Sequence, residues 1–193
     1  MIAKALSFIT DYINKEIKLT FGLSDDMVIA SSLINPDGSV TNDIENKIII
    51  SIINLEHETA TKQIGNMYNG GDNQYGKTAP PVFLNLYVLI SANYISSNYL
   101  EALKMLSAVI AIIQANPSFS RSNFPDMDVS ADKLNFEIYN IPINELSHIW
   151  SGIGAKYVPS IIYKVRMISI QKNLIQEEIA GINGIQQGNT GSK

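Results

Sequence analysis

The sequence predicts an α+β fold in which an N-terminal helix and a long middle helix pack on one central, mixed β-sheet. Residues 82–90 (VFLNLYVLI) are apolar almost without interruption, which is typical of a strand covered on both faces. Residues 2–17 and 96–115 instead repeat apolar side chains every three or four positions, the spacing of a helix with one buried face. A doubly covered strand between two such helices indicates a sheet with packing on both sides.

The first half of the chain supplies a helix and two strands. The apolar face of the first helix is formed by Ile2, Leu6, Ile9, Ile13 and Ile17. Residues 27–33 predict a short strand, and the turn sequence at 35–38 (NPDG) leads back towards Val40 as a hairpin. Residues 47–55 are rich in isoleucine and predict a second core strand, paired near residues 82–92.

The second half begins with the long helix, which starts at Ser96 or Ser97 and stops at Asn116-Pro117. Its predicted core stripe is Leu100, Leu103, Leu106, Val109, Ile110 and Ile113. Residues 118–132 are polar and predicted to be irregular, whereas residues 134–138 alternate as a strand with one buried face. A short helix capped by Asn144 follows and contains Trp150, which we interpret as a core anchor, and residues 158–170 form the last predicted strand.

The composition bounds the domain organisation and the class of partner. The 193 residues are enough for one domain over 1–171, followed by a helix or flexible tail over 172–193. A net charge of −4 leaves no broad basic field, which argues against nucleic acid as a partner. The absence of cysteine excludes disulfides and thiolate chemistry. No signal peptide is expected, and the apolar helical run at 106–113 is too short to insert into a membrane.

Between Gly71 and Thr78 the sequence GDNQYGKT fits the phosphate-binding pattern G-x-x-x-x-G-K-[ST]. A nucleotide-binding module built on this segment is the main alternative function. The pattern works when a buried strand precedes the loop and a helix begins at its Lys-Thr pair. Here polar residues precede it and Pro80-Pro81 follow, so a Gly/Asn-rich excursion over 59–79 is the favoured interpretation.

Few side chains in the sequence suggest catalysis or metal binding. His57 lies between Glu56 and Glu58, but neighbours on a strand point to opposite faces and do not converge on one ion. His148 and Glu145 lie three residues apart on a helix, which leaves a small hydrolase as a third hypothesis. The spacing of Asp126, Asp128 and Asp132 lacks the glycine and glutamate of a calcium loop. The sequence therefore predicts no catalytic residue, no metal and no cofactor.

Two sequence blocks stand out in a fixed order. Residues 81–87 (PVFLNLY) enter the central strand, and residues 149–160 (IWSGIGAKYVPS) connect the short helix to the last strand. Between them lies YLEALKML at 99–106 in the middle helix. With the N-terminal helix, this pattern resembles the tail-terminator, or cap, proteins of phage-tail-like contractile injection systems, of the antifeeding-prophage type. The resemblance extends to about residue 171.

The resemblance implies a structural protein rather than an enzyme. It implies a homo-hexameric ring on the distal end of the inner tube, which contacts the tube and sheath proteins and ends tail polymerisation. It also implies synthesis and assembly in the cytoplasm, as part of a particle that can be released from the cell. No catalytic residue is transferred by the resemblance.

The segments 59–79 and 181–193 have the composition with least reason to order alone, so we expect them to contact neighbouring subunits or the tube end. Aromatic and methionine side chains favour such contacts. The candidate interface residues are Met67, Tyr68, Tyr75, Lys77, Ile182 and Ile185.

Overall fold

The computed structural model of the chain describes residues 2–58, 67–69, 74–78, 82–125, 127, 133–170 and 175–180. The helices are α1 (Ile2–Phe21), α2 (Tyr99–Ala115, preceded by one 3-10 turn at Ser96–Asn98) and α3 (Ile143–Ile153). The strands are β1 (Val28–Ala30), β2 (Lys47–His57), β3 (Met67–Asn69), β4 (Gln74–Thr78), β5 (Val82–Asn93), β6 (Ser118–Ser120), β7 (Lys133–Ile138), β8 (Ser160–Ile170) and β9 (Ile175–Ala180).

Six strands form a mixed sheet in the order β1-β2-β5-β8-β7-β6. β1 is parallel to β2, and the other neighbours are antiparallel. β2 and β5 pair over almost their whole length, from Lys47 opposite Asn93 to His57 opposite Leu84. The predicted α+β class and the predicted pairing of the isoleucine-rich strand with the central strand are confirmed.

Each face of the sheet has its own core, because side chains alternate along a strand. On the first face, α1 and α2 cover Ile48, Ile50 and Ile90 of the sheet. The row Ile9, Ile13 and Ile17 is the part of α1 that packs in this core. On the second face, α3 and residues 31–45 cover a smaller cluster that contains Leu33, Ile44, Ile49, Leu89, Trp150 and Ile162. β5 supplies buried residues to both clusters, as the continuous apolar run predicts.

Trp150 is a core residue, as predicted. Its side chain is 4% exposed in the second cluster, and its ring meets Tyr157 edge-on at 5.6 Å between centroids. Gly154 ends α3 in the left-handed conformation with φ of 76°, so the WSGIG sequence supplies both the anchor and the stop of the helix.

The open edge of β1 is closed by a side chain from α1. The Asn14 amide nitrogen donates to the Val28 carbonyl at 2.8 Å, and its oxygen accepts from the Val28 and Met27 amides at 2.9 and 3.0 Å. Asn14 therefore occupies the backbone groups that a further strand would need, and its 6% exposure shows that it does so inside the protein. This contact also joins α1 to the sheet.

Several sequence-based expectations were wrong. Leu100 and Leu103 are 81% and 36% exposed, because the buried row of α2 runs through Ala102, Met105 and Val109. One residue turns a helix by about 100°, so Leu100, two positions before Ala102, lies on the far side. Ile138 is also exposed, at 47%, beyond the buried part of β7.

Boundaries and connections differ as well. The expected hairpin from residues 27–33 to Val40 reduces to one bridge between Ile34 and Val40, since β1 pairs with β2 instead. Ser118–Ser120, expected to be irregular, pairs with β7 as β6. The cap position of α3 is Pro142 rather than Asn144. Residues 175–180, expected to be helix or flexible tail, form β9, and residues 181–193 lie outside the described residues.

A second sheet contains β3, β4 and β9 in that order, and we call these three strands the arm. β4 leads into β5 and β8 leads into β9 along the chain, and β4 pairs antiparallel with β9 just as β5 pairs with β8. The arm therefore pairs the chain segments that come directly before β5 and directly after β8.

Asn14→Ala should lower the free energy of unfolding by about 2–4 kcal/mol, because it removes three hydrogen bonds and leaves buried backbone groups unpaired. Denaturant unfolding measures the change. Asn14→Asp should also destabilise the fold, because it turns a buried carboxylate oxygen towards the Val28 carbonyl oxygen in place of the donor. Lys15→Ala, one position away and exposed, is the control. A loss for Asn14→Ala no larger than that of the control would contradict the edge-closing role.

Candidate assembly surfaces

The phosphate-loop pattern lies in a structural context that does not suit it. Lys77 and Thr78 belong to β4, where Lys77 pairs with Met67 of β3 on one side and with Glu177 of β9 on the other. The phosphate-binding loop needs a helix N-terminus at this point, whose free N–H groups face the phosphate. A strand in the middle of a sheet has both of its edges engaged, so the alternative nucleotide site lacks its main structural element.

Four of the six predicted interface residues lie together in the arm. Met67 is opposite Lys77, and Tyr75 is opposite Asn69, one residue beyond Tyr68. The glycine- and asparagine-rich composition of this segment gave no strand signal, so the hairpin was missed from the sequence. The other two predicted residues, Ile182 and Ile185, lie outside the described residues.

A groove of about 880 Å³ opens between α3 and the second face of the main sheet. Ser51 and Ile53 of β2 form part of its lining, and Ile149 and Ile153 of α3 form another part. Leu33 and Ile34 contribute from the segment after β1, and Glu56, Tyr87 and Tyr139 contribute from the sheet and its β7 end. The lining mixes apolar and polar side chains, and Glu56 is the charged group that the sheet contributes to it.

That charged group is part of a contact across three adjacent strands. The Glu56 carboxylate of β2 accepts hydrogen bonds from Tyr87 Oη of β5 and from Lys164 Nζ of β8, both at 2.8 Å. The Lys164 ammonium also lies 5.3 Å from the centre of the Tyr87 ring, which meets Tyr139 edge-on at 4.8 Å. The three side chains share a face because the register places Tyr87 opposite both Asn54 and Lys164.

The ionisation of this group follows from its contacts. The hydrogen bond from Lys164, and next that from Tyr87, lowers the pKa of Glu56. The same bond to Glu56 raises the pKa of Lys164, while burial raises the pKa of Tyr87. A carboxylate held ionised beside an ammonium suits a clamp between strands rather than an acid catalyst. The sequence showed Lys164 on the polar side of its strand, but only the register pairs it with Glu56.

The carboxylates beside His57 do not converge on one site, whereas His148 and Glu145 lie at the same groove. Glu56 bonds to Lys164, whereas Glu58 accepts from Asn85 at 2.9 Å, so the carboxylates beside His57 have separate partners. His148 and Glu145 both line the groove, with Glu145 in the first turn of α3 where a carboxylate favours the helix dipole. Within the described ranges, no group of three or more His, Asp or Glu side chains could hold a metal ion. Asp126, Asp128 and Asp132 lie outside those ranges.

The outer face of α2 is a third surface. Tyr99 and Leu100 are 53% and 81% exposed, and Ile95 before the helix is 43% exposed. Length and composition alone would allow the stretch Ser96–Ala115 to cross a membrane, with 28% of it buried. The row through Ala102 and Val109 packs in the first core, so α2 is a helix of the domain with an apolar outer face.

Comparison with known proteins places this geometry in a family. Residues 6–182 match the family model described as the Pvc16 N-terminal domain. The fold resembles the sheath/tube terminator, in its extended state, of PVC, an extracellular contractile injection system, with a TM-score of 0.60 at 14% identity over 94% of this chain and 63% of that one. It also resembles the tube-terminating cap of the anti-feeding prophage, with a TM-score of 0.59 at 15% identity over 93% and 60% of the two chains. No curated protein sequence matches the chain.

The fold is therefore that of the terminators of contractile injection systems. The chain belongs to the Pvc16 N-terminal domain family, since the match covers most of its length. The resemblance seen in the sequence is confirmed. The chain spans less than two thirds of the length of either terminator, and each of those proteins has a further region without a counterpart in the sequence given.

Glu56→Gln should lower the melting temperature at neutral pH and have a smaller effect in acid. A carboxylate whose pKa is lowered in the fold stabilises it above the usual pKa of 4.5, and this contribution is lost as the pH falls through the folded value. Thermal unfolding from pH 7 to pH 3 measures the difference. Glu45→Gln, at an exposed position before β2, is the control. A Glu56→Gln effect that is unchanged across this range would contradict the clamp.

Proposed function

We propose that the chain acts as the terminator cap of a contractile injection system, where it ends the polymerisation of tube and sheath. The observation that carries this proposal is the family match over residues 6–182 together with the shared fold of two terminators. In this role the chain is a structural protein rather than an enzyme. Its partners are further copies of itself in a six-fold ring, the inner tube protein and the sheath protein.

The physical character of the surfaces supports assembly over catalysis. The arm is a separate small sheet, and the outer face of α2 presents large apolar side chains at Tyr99 and Leu100. Exposed apolar surface of this kind is typical of protein–protein contact. Met67, Tyr68, Tyr75 and Lys77 of the arm, with Ile182 and Ile185 beyond it, are the residues we propose for contact with partners. Nucleic acid and membrane have no part in the proposal.

The domain organisation that we propose is the one expected from the sequence. Residues 1–171 form the capping domain and residues 172–193, which include β9, form its tail, and the segments 59–79 and 181–193 contact neighbouring subunits or the tube end. The protein is made and assembled in the cytoplasm and becomes part of an extracellular particle. The name of one similar structure, the terminator of an extracellular contractile injection system, supports that location.

Removal of the chain from cells that assemble the particle should give tubes and sheaths without a defined length, because nothing ends their polymerisation. Electron microscopy of purified particles measures the length distribution. The double variant Tyr68→Ala/Tyr75→Ala should fold but restore defined lengths poorly. Tyr157→Ala, which removes an exposed tyrosine outside both the arm and the outer face of α2, is the control for the arm contact. Normal lengths without the chain would contradict the function, and normal lengths with the arm variant would contradict the contact.

A further inference from the structure

The arm has two outer strands with free edges in the described sheet. β4 lies in the middle and pairs with β3 on one side and β9 on the other. One edge of β3 and one edge of β9 therefore point away from β4. Backbone N–H and C=O groups along such an edge are a template for pairing with another chain.

The edges of the main sheet are managed differently. At the β1 edge, Asn14 already occupies the N–H and C=O groups of Val28. β6 at the other edge has three residues, Ser118–Ser120, and offers few backbone groups. β9 has six residues, so the longest outer strand in the described part of the chain belongs to the arm. Strand addition is thus favoured at the β9 edge of the arm, whereas β3, like β6, has three residues.

The directions of the two outer strands fit a second copy of the chain as the partner. β3 is antiparallel to β4, and β4 is antiparallel to β9, so β3 and β9 run parallel. A rotation that carries one copy onto the next about an axis along these strands preserves their direction. The β9 edge of one copy then meets the β3 edge of the next as a parallel pair. Such a head-to-tail contact between different surfaces repeats from copy to copy and closes into a ring.

We propose that the arm joins the subunits of the cap, with the middle of β9 of one copy, at Glu177 and Glu178, pairing in parallel with β3 of the next around Tyr68. This inference rests on the proposed function, because it names the backbone edges that connect the ring. β3 has three residues, which limits each pairing to about that length. So short a pairing is weak alone, and the other contacts between subunits hold the edges together.

Disulfide trapping tests the pairing directly, because the sequence contains no cysteine that could interfere. The test variants are Tyr68→Cys/Glu177→Cys and Tyr68→Cys/Glu178→Cys. Neighbouring side chains on β9 point to opposite faces, so one of the two variants places both thiols on the same face. Within one copy β4 separates β3 from β9, by about 10 Å over two strand spacings, which is beyond the ~7 Å reach of a disulfide. Any disulfide between these strands therefore joins two copies.

The expected result, after oxidation of the assembled protein, is a ladder of covalent multimers from one variant, ending at the subunit number that native mass spectrometry gives for the ring. Tyr68→Cys/Ser147→Cys, with the second thiol at an exposed position of α3, controls for random collision. If Tyr68→Cys prevents folding, Asn69→Cys takes its place and is combined with Glu177→Cys in one variant and with Glu178→Cys in another.

The outcomes separate this inference from the function on which it rests. A ladder that exceeds the control supports the pairing. A ring in native mass spectrometry with no ladder in any of the four pairs overturns the pairing and leaves the cap function standing. Absence of the chain from the particle end overturns both.

Discussion

The structure depends on β5 being engaged on all four sides. β2 and β8 bond to its two edges, and its side chains enter the first core at Val88 and Ile90 and the second core at Leu89. A buried leucine, isoleucine or valine stabilises the fold by about 1.5–3 kcal/mol relative to an exposed one. Because β5 contributes such side chains to both faces, α1, α2 and α3 all pack directly or indirectly on one strand.

The arm follows from this constraint. Its strand β4 precedes β5 along the chain, and β9 follows β8, so the arm begins where the best-anchored pair of strands ends. The polar contact of Glu56, Tyr87 and Lys164 joins β2, β5 and β8 towards the same end. A small sheet whose outer strands are unpaired on one edge within the described residues fits the contact with partners proposed above.

The sequence predicted those parts of the fold that burial determines. The isoleucines of β2 and the face of α1 were predicted correctly, and so was the run at residues 82–90 from Asn85 onward. Val82, at the start of that run, is 45% exposed. The exposure of Leu100 could not be predicted, because apolar residues surround much of α2 and only the packed structure selects the buried row. The parallel pairing of β1 and the role of Asn14 depend on contacts between distant segments, which a single sequence does not encode locally.

The same limit applies to the assembly surfaces. Met67, Tyr68, Tyr75 and Lys77 were selected by residue type, but the strands that join them have weak β-propensity and exist through their pairing with one another and with β9. The family was predictable because its two blocks, at 81–87 and 149–160, lie in the central strand and in the helix-to-strand connection that carries Trp150. Those positions fix the architecture, whereas each contact with a partner also depends on residues of another chain.

Hydrogen exchange measured on the free subunit and on the assembled particle tests the central claim most directly. Amides of β5 from Leu86 to Ala92 should be strongly protected in both states, because both faces and both edges of the strand are engaged. Amides of β3 and β9 should exchange on the order of tenfold more slowly in the particle than in the free subunit, since partners then cover their edges. Equal exchange of the arm in the two states, or weak protection of β5 in the free subunit, would contradict the account.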